Sequence, residues 1–423
     1  MKTNLFPFLS QAVTPWHAAE TLAGRLTGAG FSELRESEAW ALTPGRGYFV
    51  RRGGSALAAF VVGTDPTAGW AVAAAHTDSP GWRLKTALQK PHGSGVVRIG
   101  TEVYGSPIHS TWFDRPLAVA GRVFVKGAGS PRELLVRTDP LGLFPNLAIH
   151  YNREVNKGLA YDLTEQLSFL AALGPHKDLQ TYLGERLGFT SGDWLSADLF
   201  AVDPAEPMAL GTDGLFLAPR VDNLAGCHAV VEGLIAAAAP ALRTRLALCF
   251  DQEEIGSSTW TGADSSLFGD LLARVHGLAG GSAEGLFRTK AASFVLSVDA
   301  AHGVHPNWAG QHDDAYAPIL GGGPVLKSSA RFSYATTGAG EALVRNLAAR
   351  AAVPLQTFVM KSTLTPGSTV GPITTSWTGI PGADIGIPIW AMHSSRETAH
   401  TRDQEGMVDL LTAFFHGPGA TAV

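Results

Sequence analysis

The chain reads as an α/β protein: a mixed sheet layered between helices (α/β/α), interrupted by an inserted β-rich module. Three observations point there. Apolar runs at Trp70–Ala75, Leu246–Phe250, Phe294–Val298 and Ile387–Met392 have the length and continuity of strands buried on both faces. Asp222 and Asn223 precede an Ala-rich apolar stretch that continues to Ala239 before Pro240, which carries the start signal of a helix. Between these segments lie short β-type runs punctuated by Gly and Pro, such as GVVRIGTEVYG and LAVAGRVFVKGAG.

At 423 residues the chain exceeds one ordinary core, so two domains are expected. The β-rich runs set an inserted domain at 83–213, and the flanking segments 1–82 and 214–423 form one discontinuous domain. Inside the insertion, Leu163 to Leu173 reads as a helical piece. The Gly-rich VHGLAGGSAEG segment near Gly277 to Gly285 reads as a mobile loop. No internal repeat is visible.

A hydrophobic content of 45% against 16% charged residues marks a well-buried globular protein and excludes disorder. The net charge of −5, without a basic run, argues against nucleic acid or an anionic membrane as partner. Pro7 interrupts the short apolar patch LFPFL, and no signal-peptide pattern or transmembrane span is expected. The two cysteines, Cys227 and Cys249, both fall in apolar segments and read as core thiols of a reducing compartment, the cytoplasm by default.

Chemistry concentrates where the apolar runs stop. Trp70–Ala75 ends in His76 and Asp78. Leu246–Phe250 ends in Asp251, Gln252, Glu253 and Glu254. Phe294–Val298 leads to Asp299, His302 and His305, and Ile387–Met392 leads to His393. Ligands of open α/β sheets bind beyond the carboxyl ends of strands, so these ends look like one site built from distant segments. Asp222 alone would read as a helix N-cap; beside four such ends it reads as a bridging metal carboxylate. Counting ligands assigns His76, Asp222 and Asp299 to one divalent ion and Asp222, Glu254 and His393 to a second, with open positions for a shared water. Oxygen and nitrogen donors without thiolate suit Zn²⁺, Co²⁺ or Mn²⁺. Glu253 is left over beside a ligand, placed to take a proton from that water. Asp78 suits the role of steadying the His76 ring. Two such metals stabilise the attacking and leaving oxygens together, which is hydrolytic chemistry.

The strings AHTDSPG, RVDNL, DQEEIGSST, SVDAAHGVHPN, PGSTVGP and MHSSRE occur in the order found in the M18 metallo-aminopeptidases, the aspartyl aminopeptidase family, which the chain resembles over essentially its whole length. TPWHAAETLAGRLTGAGFSEL is similar to that family's N-terminal helix, and PNLAIHYNREVNKG to a motif of its second domain. The resemblance implies a zinc-exopeptidase-like catalytic domain and a dimerisation role for the insertion. By it, His76, Asp222, Glu254, Asp299 and His393 match the metal ligands, most simply of two zinc ions. Glu253 matches the general base and Asp78 the residue that steadies the histidine. His150 matches a histidine lent to a neighbouring subunit's active site. His302, His305 and Asn307 read as supporting residues rather than ligands. A homo-oligomer built from dimers, up to a dodecamer, is implied.

Departures gather around substrate recognition. Phe332, Ser333 and Tyr334 stand where the family usually has Gln-Arg-Tyr. Lys361 to Gly367 replaces an Arg-Asn-Asp-x-x-Cys-Gly pattern. Lys327 and Lys361 are candidates to meet an acidic substrate side chain, and Arg396 is a further one. Gly367, Ser368 and Thr369 would let backbone approach the substrate. The expected reaction removes N-terminal residues, Asp or Glu by resemblance, from peptides with a free α-amine. A deacylase of acylated amino acids and a non-catalytic oligomeric scaffold are the alternatives.

Overall fold

A computed structural model describes residues 4–158, 160–164 and 166–417, the side chain of Ser94 aside. The chain divides into two compact units. One runs through Asp78 and resumes over Pro207–Met392 and from Glu397 onward; the other comprises Ser79–Glu206 and the short piece His393–Arg396. The β-rich runs predict the insertion at 83–213.

The first unit is built on a nine-stranded mixed sheet. Its strands run in the order Ser32–Leu34, Gly47–Arg52, Ala56–Val61, Thr244–Phe250, Trp70–His76, Phe294–Val298, Gly382–Gly386, Val325–Ser328 and Gln356–Val359. The four central strands from Thr244–Phe250 to Gly382–Gly386 are mutually parallel. Parallel central strands are covered on both faces, and alternation along one of them shows it. Ala71, Ala73 and Ala75 pack into one core with helices Leu5–Gln11, Pro15–Gly28, Val221–Ala236, Gly338–Ala351 and Thr401–His416. Trp70, Val72 and Ala74 pack into the other, with Leu267, Leu271 and Val275 of helix Leu267–Leu278 and Val370 of helix Val370–Thr378.

Two expectations are corrected in this unit. Ile387–Met392 is not a strand of the main sheet. That place is taken by Gly382–Gly386, and Pro388–Ile389 pairs instead with Ala301–His302. The change comes at a close approach of two distant segments: Gly386 lies so near Asp299 that a Cβ there would meet the Asp299 carbonyl oxygen, and the chain leaves the main sheet at that point. Gly277–Gly285 is not one long loop, because helix Leu267–Leu278 runs into it and helix Ala283–Ala291 starts at Ser282, whose Oγ accepts the N–H of Gly285 at 3.0 Å. Buried His276 holds the short link, its Nε2 lying 3.0 Å from the Ser282 carbonyl oxygen.

The second unit carries a seven-stranded sheet, wholly antiparallel in its named pairings. Its order is Arg132–Arg137, Ala118–Val125, Trp194–Val202, Gly81–His92, Val96–Tyr104, Phe169–Ala172 and Gly142–Leu143. Trp82, Ile99, Phe144, Phe169 and Leu199 form its core. Leu163–Leu173 is corrected here, Glu165 lying outside the described residues. Phe169 and Ala171 point into the core while Leu170 and Ala172 do not, which is strand alternation, and the segment pairs with Val96–Ile99. The unit's one α-helix among the described residues is Leu179–Leu187, capped by Asp178 and closed by Gly188 at φ 75°.

Candidate metal centre

Three neighbouring parallel strands bring their carboxyl ends to one edge. Phe250 stands opposite His76, and Ser297 opposite Ala74, so the residues after Phe250, Ala75 and Val298 emerge side by side. After Asp251, Gln252 takes a left-handed φ of 64° and turns the chain into the single helical turn Glu253–Ile255. The turn is held from outside. The two oxygens of Asp78 accept the backbone N–H groups of Glu253 and Glu254, each at 3.1 Å. The same carboxylate lies 3.3 Å from Nδ1 of His76, which also sits 3.1 Å from the Asp78 carbonyl oxygen. Nδ1 is thus committed to Asp78, and Nε2 is the nitrogen that faces the other carboxylates.

Asp222 arrives from another direction. It lies in the first turn of helix Val221–Ala236 with non-helical angles (φ −80°, ψ 111°), following Arg220 at φ 58°. Its backbone N–H donates to Oε2 of buried Glu397 at 2.9 Å. Asn223 Nδ2 donates to the Val298 carbonyl at 2.7 Å, and Cys227 Sγ to the His76 carbonyl at 2.9 Å, which pins this helix across two strand ends. The approach is close enough that a Cβ on Gly226 would stand 2.8 Å from the Val298 oxygen.

His76 Nε2 lies 3.4 Å from Asp299 Oδ1, 3.7 Å from Asp222 Oδ1 and 3.9 Å from Glu253 Oε2. Ligand atoms of His76, Asp222 and Asp299 all fall within 4.8 Å of one another, as do those of His76, Glu253 and Glu254. So dense a set of buried acids strains its own ionisation. Burial, reinforced by Asp299, holds Asp222 well above the usual carboxylate range. Burial and Asp222 do the same to Glu254. Burial, partly offset by His76, pushes Glu253 up to about 7. Asp299 is the exception: burial opposes its charge, but Lys327 and His76 hold it low. A cluster of buried carboxylates and one imidazole, short of positive charge, is the donor set of a divalent cation.

The other sequence candidates are placed differently. Lys327 is buried at 2% exposure, with Nζ 3.3 Å from Asp299 Oδ2, so its charge is directed at a carboxylate of the cluster and not at open space. Lys361 donates to the Gly310 carbonyl and lines a cavity of about 260 Å³ with His302, His305, His312, Phe358 and Trp390. Gly367 and Ser368 are exposed, and Thr369 caps the helix that follows them. In the second unit, His393 adopts φ 68° and sets Nδ1 3.1 Å from the Ser106 carbonyl oxygen. Arg396 binds the buried carboxylate of Asp203, Nε to Oδ2 at 2.8 Å. His150 is exposed in a turn beside exposed Leu147, Ile149 and Tyr151. Glu397 and Asn223 support the site without a sequence signal of that role beyond their places in the strings MHSSRE and RVDNL.

A parallel-centred α/β sheet with buried acids and an imidazole gathered at its strand ends defines a metal-dependent hydrolase. Residues 8–415 match the family model described as aminopeptidase I zinc metalloprotease (M18). The chain is 40% identical over 424 residues to the "Probable M18 family aminopeptidase 2" of Streptomyces avermitilis, covering 98% of this chain and 97% of that one. It is 38% identical over 415 residues to the protein of the same name from Borreliella burgdorferi, 96% of each being covered. A chain in the solved complex of Ape4 and Nbr1 superposes with a TM-score of 0.91 at 32% identity, over 98% of this chain and 85% of that one. The chain belongs to the M18 aminopeptidase family, and is a zinc metallo-exopeptidase. Among the described residues no helix is long and apolar enough to cross a membrane.

Proposed function

We propose that the strand-end cluster holds two divalent ions, zinc in the first instance, with His76, Asp222 and Asp299 on one and Asp222, Glu254 and His393 on the other. The observation that carries this reading is the gathering of buried Asp222 and Asp299 and half-buried Glu254 about His76 without enough positive charge to balance them. His76 and His393 each turn Nδ1 to a backbone carbonyl, which leaves Nε2 as the ligand atom in both. Bound ions of this kind act as Lewis acids and lower the pKa of water.

The protein's own part is positional and acid–base. Glu253 is the general base: it takes a proton from the attacking water and returns it to the leaving amine. Its carboxylate, 3.9 Å from His76 Nε2, borders the ligand cluster, and Asp78 holds the turn that carries it. The substrate is a peptide with a free N-terminus. The cavity at His302, His305, His312 and Lys361 would take the first side chain, with Lys361, the one fixed cation among its described lining residues, favouring Asp or Glu. The inserted unit makes subunit contacts in a homo-oligomer. Exposed Leu147, Ile149 and Tyr151 around His150 fit such an interface, through which His150 would serve a neighbouring site. Two free, buried cysteines fit a cytoplasmic protein.

The test is an assay of protein loaded with Zn²⁺, Co²⁺ or Mn²⁺ on aminoacyl chromogenic amides of Asp, Glu, Leu and Lys, and on N-acetyl-Asp amide. Preference for free Asp or Glu supports the cavity at Lys361 as the side-chain site. Preference for neutral residues removes that assignment and keeps the mechanism. Cleavage of the acetylated substrate alone would overturn the aminopeptidase reading.

A further inference from the structure

The strand Val325–Ser328, next to the edge of the nine-stranded sheet, buries a lysine. Lys327 stands opposite Asp384 in the antiparallel pairing with Gly382–Gly386. A buried ammonium needs acceptors, and this one has two: Asp299 Oδ2 at 3.3 Å and the Ala300 carbonyl at 3.2 Å. The ring of Tyr334 lies under it, 5.0 Å from Nζ to centroid. Asp384 is engaged elsewhere, accepting from Thr369 Oγ1 and from the Ala335 N–H, each at 2.6 Å. The two oxygens of Asp299 are therefore divided. Oδ1 lies 3.4 Å from His76 Nε2, and Oδ2 belongs to Lys327.

We propose that Lys327 is a positioning residue of the metal centre, keeping Asp299 a one-oxygen ligand and, as a fixed like charge, making the centre hold its cation less tightly than a neutral neighbour would. The inference rests on reading the cluster as a metal centre and concerns what that centre does. Part of the Asp299 charge is drawn toward the ammonium, so less of it reaches the cation. A cation less fully compensated by its ligands polarises water and carbonyl oxygen more strongly. Lys327 thus exchanges affinity for reactivity. A lysine with a purely structural role would do neither: its loss would loosen the site and weaken metal binding.

Lys327→Gln keeps a donor for Asp299 Oδ2 and removes the charge, while Lys327→Arg keeps the charge. Zinc affinity is read by competition with a chromogenic chelator, folding by circular dichroism, and turnover on the preferred aminoacyl amide. The expected result is zinc held about tenfold more tightly or more by Lys327→Gln, with kcat reduced about tenfold and KM within about threefold of wild type. Lys327→Arg should stay near wild type in both. Unchanged or weaker zinc binding by a folded Lys327→Gln, or wild-type turnover, overturns the proposal. Lys327→Met, whose unbranched stem fills the same space, is read by the same criteria if the amide variant does not fold. Wild-type protein that takes up no zinc contradicts the metal-centre reading itself, whatever the variants do.

Discussion

Asp78 Oδ1 accepts the backbone N–H of Glu253 at 3.1 Å. The same oxygen lies 3.3 Å from Nδ1 of His76, so one buried carboxylate sets both the ring of a proposed ligand and the turn that carries the proposed base. Its second oxygen takes the N–H of Glu254. An amide at this position would turn a donor toward one of the two N–H groups or toward the imidazole. Asp78→Asn should weaken zinc binding about 10–100-fold and lower kcat, measured by chelator competition and steady-state kinetics. Unchanged metal affinity would sever Asp78 from the centre.

A second prediction concerns pH and the metal-free protein. Burial raises Glu253 to about 7, against an ordinary value of 4.5. The folded chain therefore keeps this proton over a range in which the unfolded chain has lost it. The associated stability is complete below pH 4.5 and disappears as pH rises toward 7. Glu253→Gln does not titrate. In chelator, it should become progressively more stable than wild type between pH 4.5 and 7, by a few kcal/mol at the upper end, and urea unfolding at several pH values measures the gap. A gap that stays constant with pH would refute the buried, proton-holding carboxyl.

Arg396 gives a third. Its partner Asp203 is nearly inaccessible and also binds Arg115 Nη1 at 2.7 Å. Removing one cation from a buried carboxylate is costly, so Arg396→Ala should destabilise the inserted unit by about 3 kcal/mol. The expected signature is a lower Tm with an unchanged KM in the folded fraction. A raised KM at unchanged Tm would instead make Arg396 a substrate contact.

The parts of this architecture that could be read from sequence are those where burial leaves a pattern. Trp70–Ala75 and Leu246–Phe250 are apolar without interruption, and Phe294–Val298 is broken only by buried Ser297, because both faces meet helices, and each ends abruptly in polar groups. That is why His76, Glu253, Glu254 and Asp299 were legible as one cluster. Ile387–Met392 has the same apolar character, yet it leaves the sheet because Gly386 lies against the Asp299 backbone, a long-range contact with no local trace. Lys327 shows the same limit. Between Leu326 and Ser328 a lysine reads as solvated, and only the pairing of its strand with Gly382–Gly386 buries it beside Asp299. Glu397, which anchors Asp222 from 175 positions away in the chain, carries no signal beyond its nearness to His393.

The most direct test of the central claim is zinc titration of chelator-stripped wild type and Glu253→Gln, paired with turnover on an aminoacyl amide. A dinuclear centre with Glu253 as base predicts two zinc ions per chain in both proteins. It also predicts a fall in kcat of roughly 10²–10⁴-fold in the variant alone. A single ion per chain would contradict the shared role of Asp222, and a fully active Glu253→Gln would remove Glu253 as the base.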